Sequence, residues 1–221
     1  MTSDDIASCI DHTVLAPQSR HDAFVEACRY AAEIRCASVC ICPFFVPEAA
    51  RLLAGSGVAV CTVIGFPHGT HATEAKVAEA KLAMADGATE LDMVVNVAKV
   101  KDHDWDYVER DVAAVCKAVH DTGCLLKVIF ECCFLDDAEK TELCRICTRV
   151  GADFVKTSTG YGTGGATVAD VRLMKANVGP SVRVKAAGGI HSAEELLALR
   201  EAGADRFGCS RTKEILAGLP R

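Results

Sequence analysis

Two lysines occupy matched positions in two short apolar segments. Lys156 follows Phe154 and Val155, and Lys185 lies in the run 182–186. If both runs are neighbouring parallel strands, which lie about 4.8 Å apart, the two ammonium groups share one low-dielectric mouth. Desolvation and a nearby like charge both favour loss of a proton from one amine. A neutral lysine can attack a carbonyl carbon and form an imine, so the pair predicts Schiff-base chemistry.

The alternative for a single lysine is structural. A lysine at the end of a strand can lay its aliphatic stem on apolar surface and extend its head to water. Lys156 taken alone fits that interpretation. The matched position of Lys185 favours the nucleophile instead.

Three glycine-rich segments follow the last three apolar runs. Backbone N–H groups in such loops, ahead of helix N-termini, can bind a phosphate, although tight turns need glycine anyway. Three such loops in succession, with a serine and an arginine, predict a phosphorylated substrate. The candidate phosphate-binding residues are Thr159, Gly160, Gly188, Gly189, Gly208, Ser210 and Arg211.

Two aspartates lie inside strand-like runs, where an unpaired carboxylate would be costly. Asp92 either forms a salt bridge with Lys127 or Lys185 inside the fold, or carries protons through one of these lysines or a water. Spacing does not separate the two interpretations, which are compatible. Asp11 has the same ambiguity, and Thr13 shares its strand face because strand side chains alternate.

Cys40 and Cys42 share a strand face by the same alternation and are interpreted as buried small hydrophobes. A thiol near an aldehyde site could nevertheless react with the aldehyde. The chain has 13 cysteines, an odd number, and many lie in apolar segments without a second paired motif at zinc-site spacing. The prediction is a reduced, cytoplasmic protein that binds no metal.

Strand-like and helix-like patterns alternate along the whole chain. The predicted strands are 10–15, 37–42, 58–64, 90–95, 125–130, 153–157, 182–186 and 205–208. Helical patterns follow each of them, at 18–34, 47–53, 73–86, 105–122, 136–150, 167–177, from Ser192 onward, and at 211–217. Helical crossovers imply parallel strands, and continuous apolar strands imply a sheet covered on both faces.

Eight such units in 221 residues predict a single-domain (β/α)8 TIM barrel of the α/β class over residues 1–221. An open doubly wound sheet is the alternative, but no G-x-G-x-x-G follows the first strand. In a barrel the chemistry lies at the C-terminal ends of the strands. The net charge of −6 argues against a nucleic-acid partner. No apolar run is long enough for a membrane span, and no signal-peptide pattern opens the chain.

Seven motifs together resemble the deoxyribose-phosphate aldolase family, in order and over essentially the whole chain. They are Ile10-Asp-His-Thr13, Val39-Cys-Ile-Cys-Pro43, Glu90-Leu-Asp-Met-Val-Val95, Leu126-Lys-Val-Ile-Phe-Glu131, Val155-Lys-Thr-Ser-Thr-Gly160, Val184-Lys-Ala-Ala-Gly-Gly189 and Arg206-Phe-Gly-Cys-Ser210.

The resemblance implies a class I aldolase on a (β/α)8 barrel, with no metal or other cofactor. Its substrate would be a small phosphorylated sugar: 2-deoxy-D-ribose 5-phosphate, cleaved reversibly to acetaldehyde and glyceraldehyde 3-phosphate in deoxyribonucleoside catabolism. It also implies Lys156 as the Schiff-base lysine, Lys185 as the cation that favours its neutral form, and Asp92 as the proton-transfer carboxylate. Asp11 would support that network, and Gly189, Gly208 and Ser210 would bind phosphate.

The chain departs from the family pattern at two positions. Tyr161 stands where some members have a lysine, and Arg211 follows Ser210 where the last loop often ends in two serines. Both departures concern the phosphate end rather than the lysine chemistry. Arg211 could restore a cation there, since guanidinium suits phosphate geometry.

Two rival functions stay open at this point. The chain could be another Schiff-base aldolase or a transaldolase-like barrel acting on a different sugar phosphate, which product analysis would reveal. It could also be a non-catalytic phosphosugar-binding barrel, which would bind ligand without forming an imine. The oligomeric state is open, with a homodimer as the candidate.

Overall fold

The protein is described from a computed structural model over residues 2–220. Eight parallel strands close into a barrel, with β1 bonded to both β2 and β8. The strands are β1 (Ile10–Val14), β2 (Ser38–Ile41), β3 (Ala59–Ile64), β4 (Glu90–Val94), β5 (Leu125–Ile129), β6 (Phe154–Lys156), β7 (Arg183–Ala187) and β8 (Arg206–Cys209). The single-domain (β/α)8 prediction is thus confirmed.

Ten α-helices within residues 2–220 accompany the barrel. They are α1 (Ser3–Ala7), α2 (His21–Glu33), α3 (Val46–Leu52), α4 (Thr73–Ala85), α5 (Val97–Lys101), α6 (Trp105–His120), α7 (Asp137–Val150), α8 (Val168–Asn177), α9 (Ala193–Glu201) and α10 (Thr212–Ala217). Short 3-10 turns at Pro43–Phe45 and Cys132–Phe134 follow β2 and β5.

The apolar core lies between the strands and the helices. Outward-facing strand residues such as Leu91 and Met93 belong to one buried cluster with helix residues such as Val112 and Val115. Alternation sends the other strand face into the barrel, where Asp92 is fully buried. The inward face therefore holds polar groups that the apolar strands isolate from water.

Strand register pairs the candidate site residues directly across neighbouring strands. Lys156 is the direct partner of Lys185 across β6 and β7. Asp92 is the direct partner of Lys127 across β4 and β5. The two lysines that the sequence pattern matched are therefore true neighbours.

Two short helices were missed by the sequence pattern, α1 and α5, because five residues are too few to show helical periodicity. A capping box between Thr2 and Asp5 begins α1. Ile6 and Ala7 of this helix are buried, and the N–H of Ser3 donates to the carbonyl of Pro220. The N-terminal segment thus packs against the C-terminal end of the chain.

Candidate active site

Lys156 and Lys185 converge on one carboxylate oxygen. Their ammonium nitrogens lie 2.8 Å and 2.7 Å from Oδ2 of Asp92. Lys185 and Asp92 are fully buried, and Lys156 is only 3% exposed. Desolvated charged groups at these distances interact strongly. The structure thus brings together the three residues that the sequence and the resemblance assigned to the chemistry.

Lys127 binds the other side of Asp92. Its ammonium nitrogen is 2.9 Å from Oδ1 of Asp92 and 2.6 Å from Oε2 of Glu90. The salt bridge anticipated for Asp92 therefore exists to both Lys127 and Lys185. A buried carboxylate with three cationic neighbours is well compensated, which explains why it persists mid-strand.

Asp11 and Arg206 complete the buried ionic network. Oδ2 of Asp11 is 2.5 Å from the nitrogen of Lys185, and Nη1 of Arg206 is 2.6 Å from Oδ1 of Asp11. The same guanidinium nitrogen is 3.3 Å from Oε2 of Glu90. Asp11 thus gives Lys185 a second carboxylate in addition to Asp92. Arg206 and Glu90 were not singled out in the sequence, because only barrel closure places β8 beside β1.

The buried network holds one more cation than anion when every group is ionised. Its cations are Lys127, Lys156, Lys185 and Arg206, and its anions are Asp11, Glu90 and Asp92. Lys156 contacts one of these carboxylates, whereas each other cation contacts at least two. Excess charge in a low-dielectric interior is costly, and Lys156 has the fewest carboxylates to offset its charge.

Neighbouring charges move the pKa values of the surrounding groups strongly. Burial alone would lower the pKa of Lys185, but the carboxylates of Asp11 and Asp92 outweigh it and hold that pKa well above its usual range. Burial alone would raise the pKa of Asp92, but Lys127, Lys156 and Lys185 hold it well below its usual range. Before substrate binds, Lys185 is therefore a cation beside Lys156, and Asp92 is an anion.

Two thiols adjoin this network from β2 and β3. Cys40 and Cys61 are direct partners across the strands and both are fully buried. Sγ of Cys61 lies 3.3 Å from Oδ1 of Asp92 and 3.3 Å from the nitrogen of Lys127. Burial raises the pKa of the Cys61 thiol well above its ordinary value. Cys61 was missed in the sequence, although its position opposite Cys40 follows from strand pairing.

The thiols and Asp92 also form a group with metal-ligating atoms. The ligand atoms of Cys40, Cys61 and Asp92 lie within 4.8 Å of one another. Three ammonium groups already occupy the carboxylate of Asp92, however, and repel a further cation. This donor set therefore does not suit a divalent metal.

A cavity of about 530 Å³ opens above Lys156. Several predicted site residues line it: Thr13, Thr159, Gly160, Gly188, Gly189, Gly208 and Ser210. Asp11, Asp92, Lys127, Lys185 and Cys40 are fully buried instead. Arg211 is exposed just before α10 and does not line the cavity. The guanidinium expected to supply a phosphate cation thus lies outside the cavity.

The turn after β7 needs its glycines. Gly188 and Gly189 have φ values of +84° and +75°, in the left-handed region that side chains rarely adopt. A Cβ on Gly208, in β8, would meet Cβ of Ala187 at 2.9 Å. Small residues therefore allow the backbone of this turn to line the cavity. A loop that binds a phosphate through its backbone N–H groups requires such an exposed backbone.

Two further residues organise the loop after β6. Glu131 is a non-glycine residue at φ +58°, is 3% exposed, and accepts hydrogen bonds from the N–H (3.1 Å) and the hydroxyl of Thr159. The hydroxyl of Tyr161 donates to the carbonyl of Leu15 at 2.7 Å. Neither role was visible in the sequence, because each joins loops that are distant along the chain.

Comparisons with known proteins agree with this geometry. A sequence model of the DeoC/LacD family of aldolases matches residues 6–213. The deoxyribose-phosphate aldolase of Thermococcus gammatolerans is 49% identical, covering 99% of this chain and 98% of its own. That of Clostridium perfringens is 48% identical, covering 99% and 97%. The solved tetrameric deoxyribose phosphate aldolase from Aeropyrum pernix superimposes with a TM-score of 0.92 at 33% identity, covering 98% and 91%.

Proposed function

The chain belongs to the DeoC/LacD family of aldolases, and we infer from this membership that it cleaves 2-deoxy-D-ribose 5-phosphate reversibly to acetaldehyde and D-glyceraldehyde 3-phosphate. The reaction serves deoxyribonucleoside catabolism. The observation that carries the mechanism is the position of Lys156. Lys156 lines the cavity, and its amine donates to a carboxylate oxygen that it shares with Lys185.

The first step is imine formation. The neutral amine of Lys156 adds to C1 of the open-chain sugar, and the carbinolamine loses water to give an iminium. The excess positive charge of the buried network supports this assignment, because a proton lost from Lys156 brings the network to neutrality.

The second step breaks the bond between C2 and C3. The C3 hydroxyl loses its proton, C3 becomes the carbonyl carbon of glyceraldehyde 3-phosphate, and the bond electrons pass through C2 to the iminium nitrogen. The product on Lys156 is an enamine. A proton then adds to C2, water adds to C1, and acetaldehyde leaves with the amine restored. Asp92, Lys185 and water are the proton carriers that we propose.

The substrate's phosphate would bind to the glycine-rich part of the cavity wall. We assign its binding to the backbone of Gly188 and Gly189, to Gly208 and Ser210, and to the loop that contains Thr159 and Gly160. The left-handed turn and the small residues around it support this assignment. Thr13 lines the wall beside Lys156. Arg211 has no role in this proposal, because its side chain is not part of the cavity wall.

Reductive trapping tests the mechanism. Borohydride converts an imine to a stable secondary amine, so the protein incubated with acetaldehyde and borohydride gains an ethyl group. We expect peptide mass spectrometry to place that group on Lys156. Modification of Lys185 alone, or none at all, would overturn the assignment. Product analysis with several sugar phosphates tests the substrate.

Assembly and location are separate proposals. We propose a homodimer, for which exposed apolar side chains such as Phe44 and Leu82 supply surface. Sedimentation velocity measures this directly, and a monomer or tetramer would contradict it. All 13 cysteines are free thiols, which supports a location in the reducing cytoplasm. No helix among residues 2–220 is long and apolar enough to cross a membrane.

A further inference from the structure

The loop that follows Lys156 is attached to the barrel by a buried acid outside the lysine network. Glu131 follows β5 and is nearly inaccessible to water. Both hydrogen bonds that its carboxylate accepts within residues 2–220 come from Thr159, one from the N–H and one from the hydroxyl. Burial of the Glu131 carboxylate and the left-handed backbone of Glu131 both cost free energy. The residue that donates to this carboxylate, Thr159, lines the cavity.

Thr159 passes this attachment along the loop. Its hydroxyl oxygen also accepts a hydrogen bond from the N–H of Tyr161 at 3.0 Å. The phenol of Tyr161 reaches across to the carbonyl of Leu15, and its ring meets Phe66 edge-on at 5.4 Å. Leu15, Thr159 and Tyr161 all line the cavity. The loop is therefore held at Glu131 on one side and at the β1 loop on the other.

Close packing leaves the loop little freedom between these attachments. A Cβ on Gly162 would lie 2.8 Å from Sγ of Cys133 and 3.1 Å from Cδ of Glu131. A Cβ on Gly165 would lie 2.3 Å from the carbonyl oxygen of Gly188. That same carbonyl accepts the N–H of Ala166 at 3.0 Å. The loop thus connects Glu131 to the glycine turn that we assign to phosphate binding.

We propose that Glu131 is a positioning residue for this reaction, acting through Thr159 to hold the β6–α8 loop against the phosphate end of the substrate. The inference rests on the proposed function, because it presumes a phosphorylated sugar in the cavity. It does not place Glu131 in the chemistry at Lys156. That lysine is held from the other side, by Asp92, and not by the loop.

Because Glu131 contacts the loop and not Lys156, its replacement should change KM more than kcat. We expect Glu131→Ala to raise KM for 2-deoxy-D-ribose 5-phosphate by about tenfold or more, as for loss of hydrogen bonds to a charged group. The kcat value and the borohydride-trapped imine with acetaldehyde should change much less. Glu131→Gln keeps the shape of the side chain and one acceptor oxygen, so its KM should stay close to that of the unmodified protein.

Three further variants distinguish positioning of the loop from a purely structural effect. Asp111→Asn alters another buried acid, paired with Lys76 between α4 and α6, and should lower the melting temperature without raising KM. If Glu131→Ala does not fold, Thr159→Val and its rescue by Thr159→Ser test the same contact. A folded Glu131→Ala or Thr159→Val protein with unchanged KM would overturn the proposal. Absence of a trapped imine in the unmodified protein would instead overturn the proposed function.

Discussion

Lys156 and Lys185 donate hydrogen bonds to the same oxygen of Asp92, at 2.8 Å and 2.7 Å. The two lysines are direct strand partners, so one carboxylate can serve both. They are not equivalent, however. Lys185 has a second carboxylate, Asp11, at 2.5 Å, whereas Lys156 faces the cavity. This asymmetry distinguishes a lysine between two carboxylates, Lys185, from a lysine that contacts one carboxylate and lines the cavity, Lys156.

Removal of Lys185 should slow the reaction. In Lys185→Leu, Asp11 and Asp92 lose the ammonium group that contacts both of them, and the proposed mechanism loses one of its proton carriers. We expect kcat to fall by about a hundredfold or more, the usual contribution of such a group. Lys140→Met is the matched control, since Lys140 is a largely buried, ion-paired lysine on α7, and it should leave kcat nearly unchanged. A folded Lys185→Leu protein with unchanged kcat would remove Lys185 from the chemistry.

Replacement of Asp92 should abolish turnover and weaken the fold. Asp92→Asn leaves three buried ammonium groups without their shared anion, which costs about 3–5 kcal/mol when a buried ion pair is broken. Loss of a proton carrier should lower kcat by about a hundredfold or more. Denaturant unfolding and steady-state kinetics measure the two effects. A variant with unchanged kcat would show that Asp92 is structural only.

Stability should fall as the pH is lowered, partly because of His12. Burial, with a smaller contribution from Lys213, lowers the pKa of His12 to about 4 from an ordinary 6.5. Between these values the unfolded chain binds a proton that the folded protein does not, so the contribution is complete above pH 6.5 and is lost as pH falls toward 4. The loss is about 3 kcal/mol by linkage.

The measurement compares unfolding free energies at pH 7.5 and 4.5. His12→Asn should show a smaller decrease between these pH values than the unmodified protein, because it lacks the titrating ring. His68→Asn changes an exposed histidine and should leave the decrease unaltered. Equal decreases in all three proteins would rule out His12 as the source.

The glycine turn after β7 should be selective for phosphorylated substrate. Gly189→Ala introduces a side chain at φ +75°, which strains the turn by about 1–2 kcal/mol. We expect KM for 2-deoxy-D-ribose 5-phosphate to rise severalfold, while KM for unphosphorylated 2-deoxyribose stays nearly constant. Gly55→Ala is the matched control, since Gly55 has φ +77° and open space around it. Equal effects on both substrates would remove Gly189 from the phosphate site.

The element order and the lysine pair could be predicted from the sequence because both rest on local patterns. Eight apolar runs alternate with eight segments of helical periodicity. Lys156 and Lys185 lie at equivalent positions in two of the apolar runs. The glycines of the late loops could be recognised for a similar reason, since left-handed turns require them locally. Each of these features is set by residues that are close together in the sequence.

The contacts within the site depend instead on closure of the barrel and on the directions of long side chains. Arg206 reaches Asp11 only because β8 pairs with β1, and Glu131 reaches Thr159 only because adjacent loops pack together. Arg211, expected at the phosphate, is exposed just before α10 and does not line the cavity. Such contacts join residues far apart in sequence, and their geometry depends on strand register and packing that no local pattern contains.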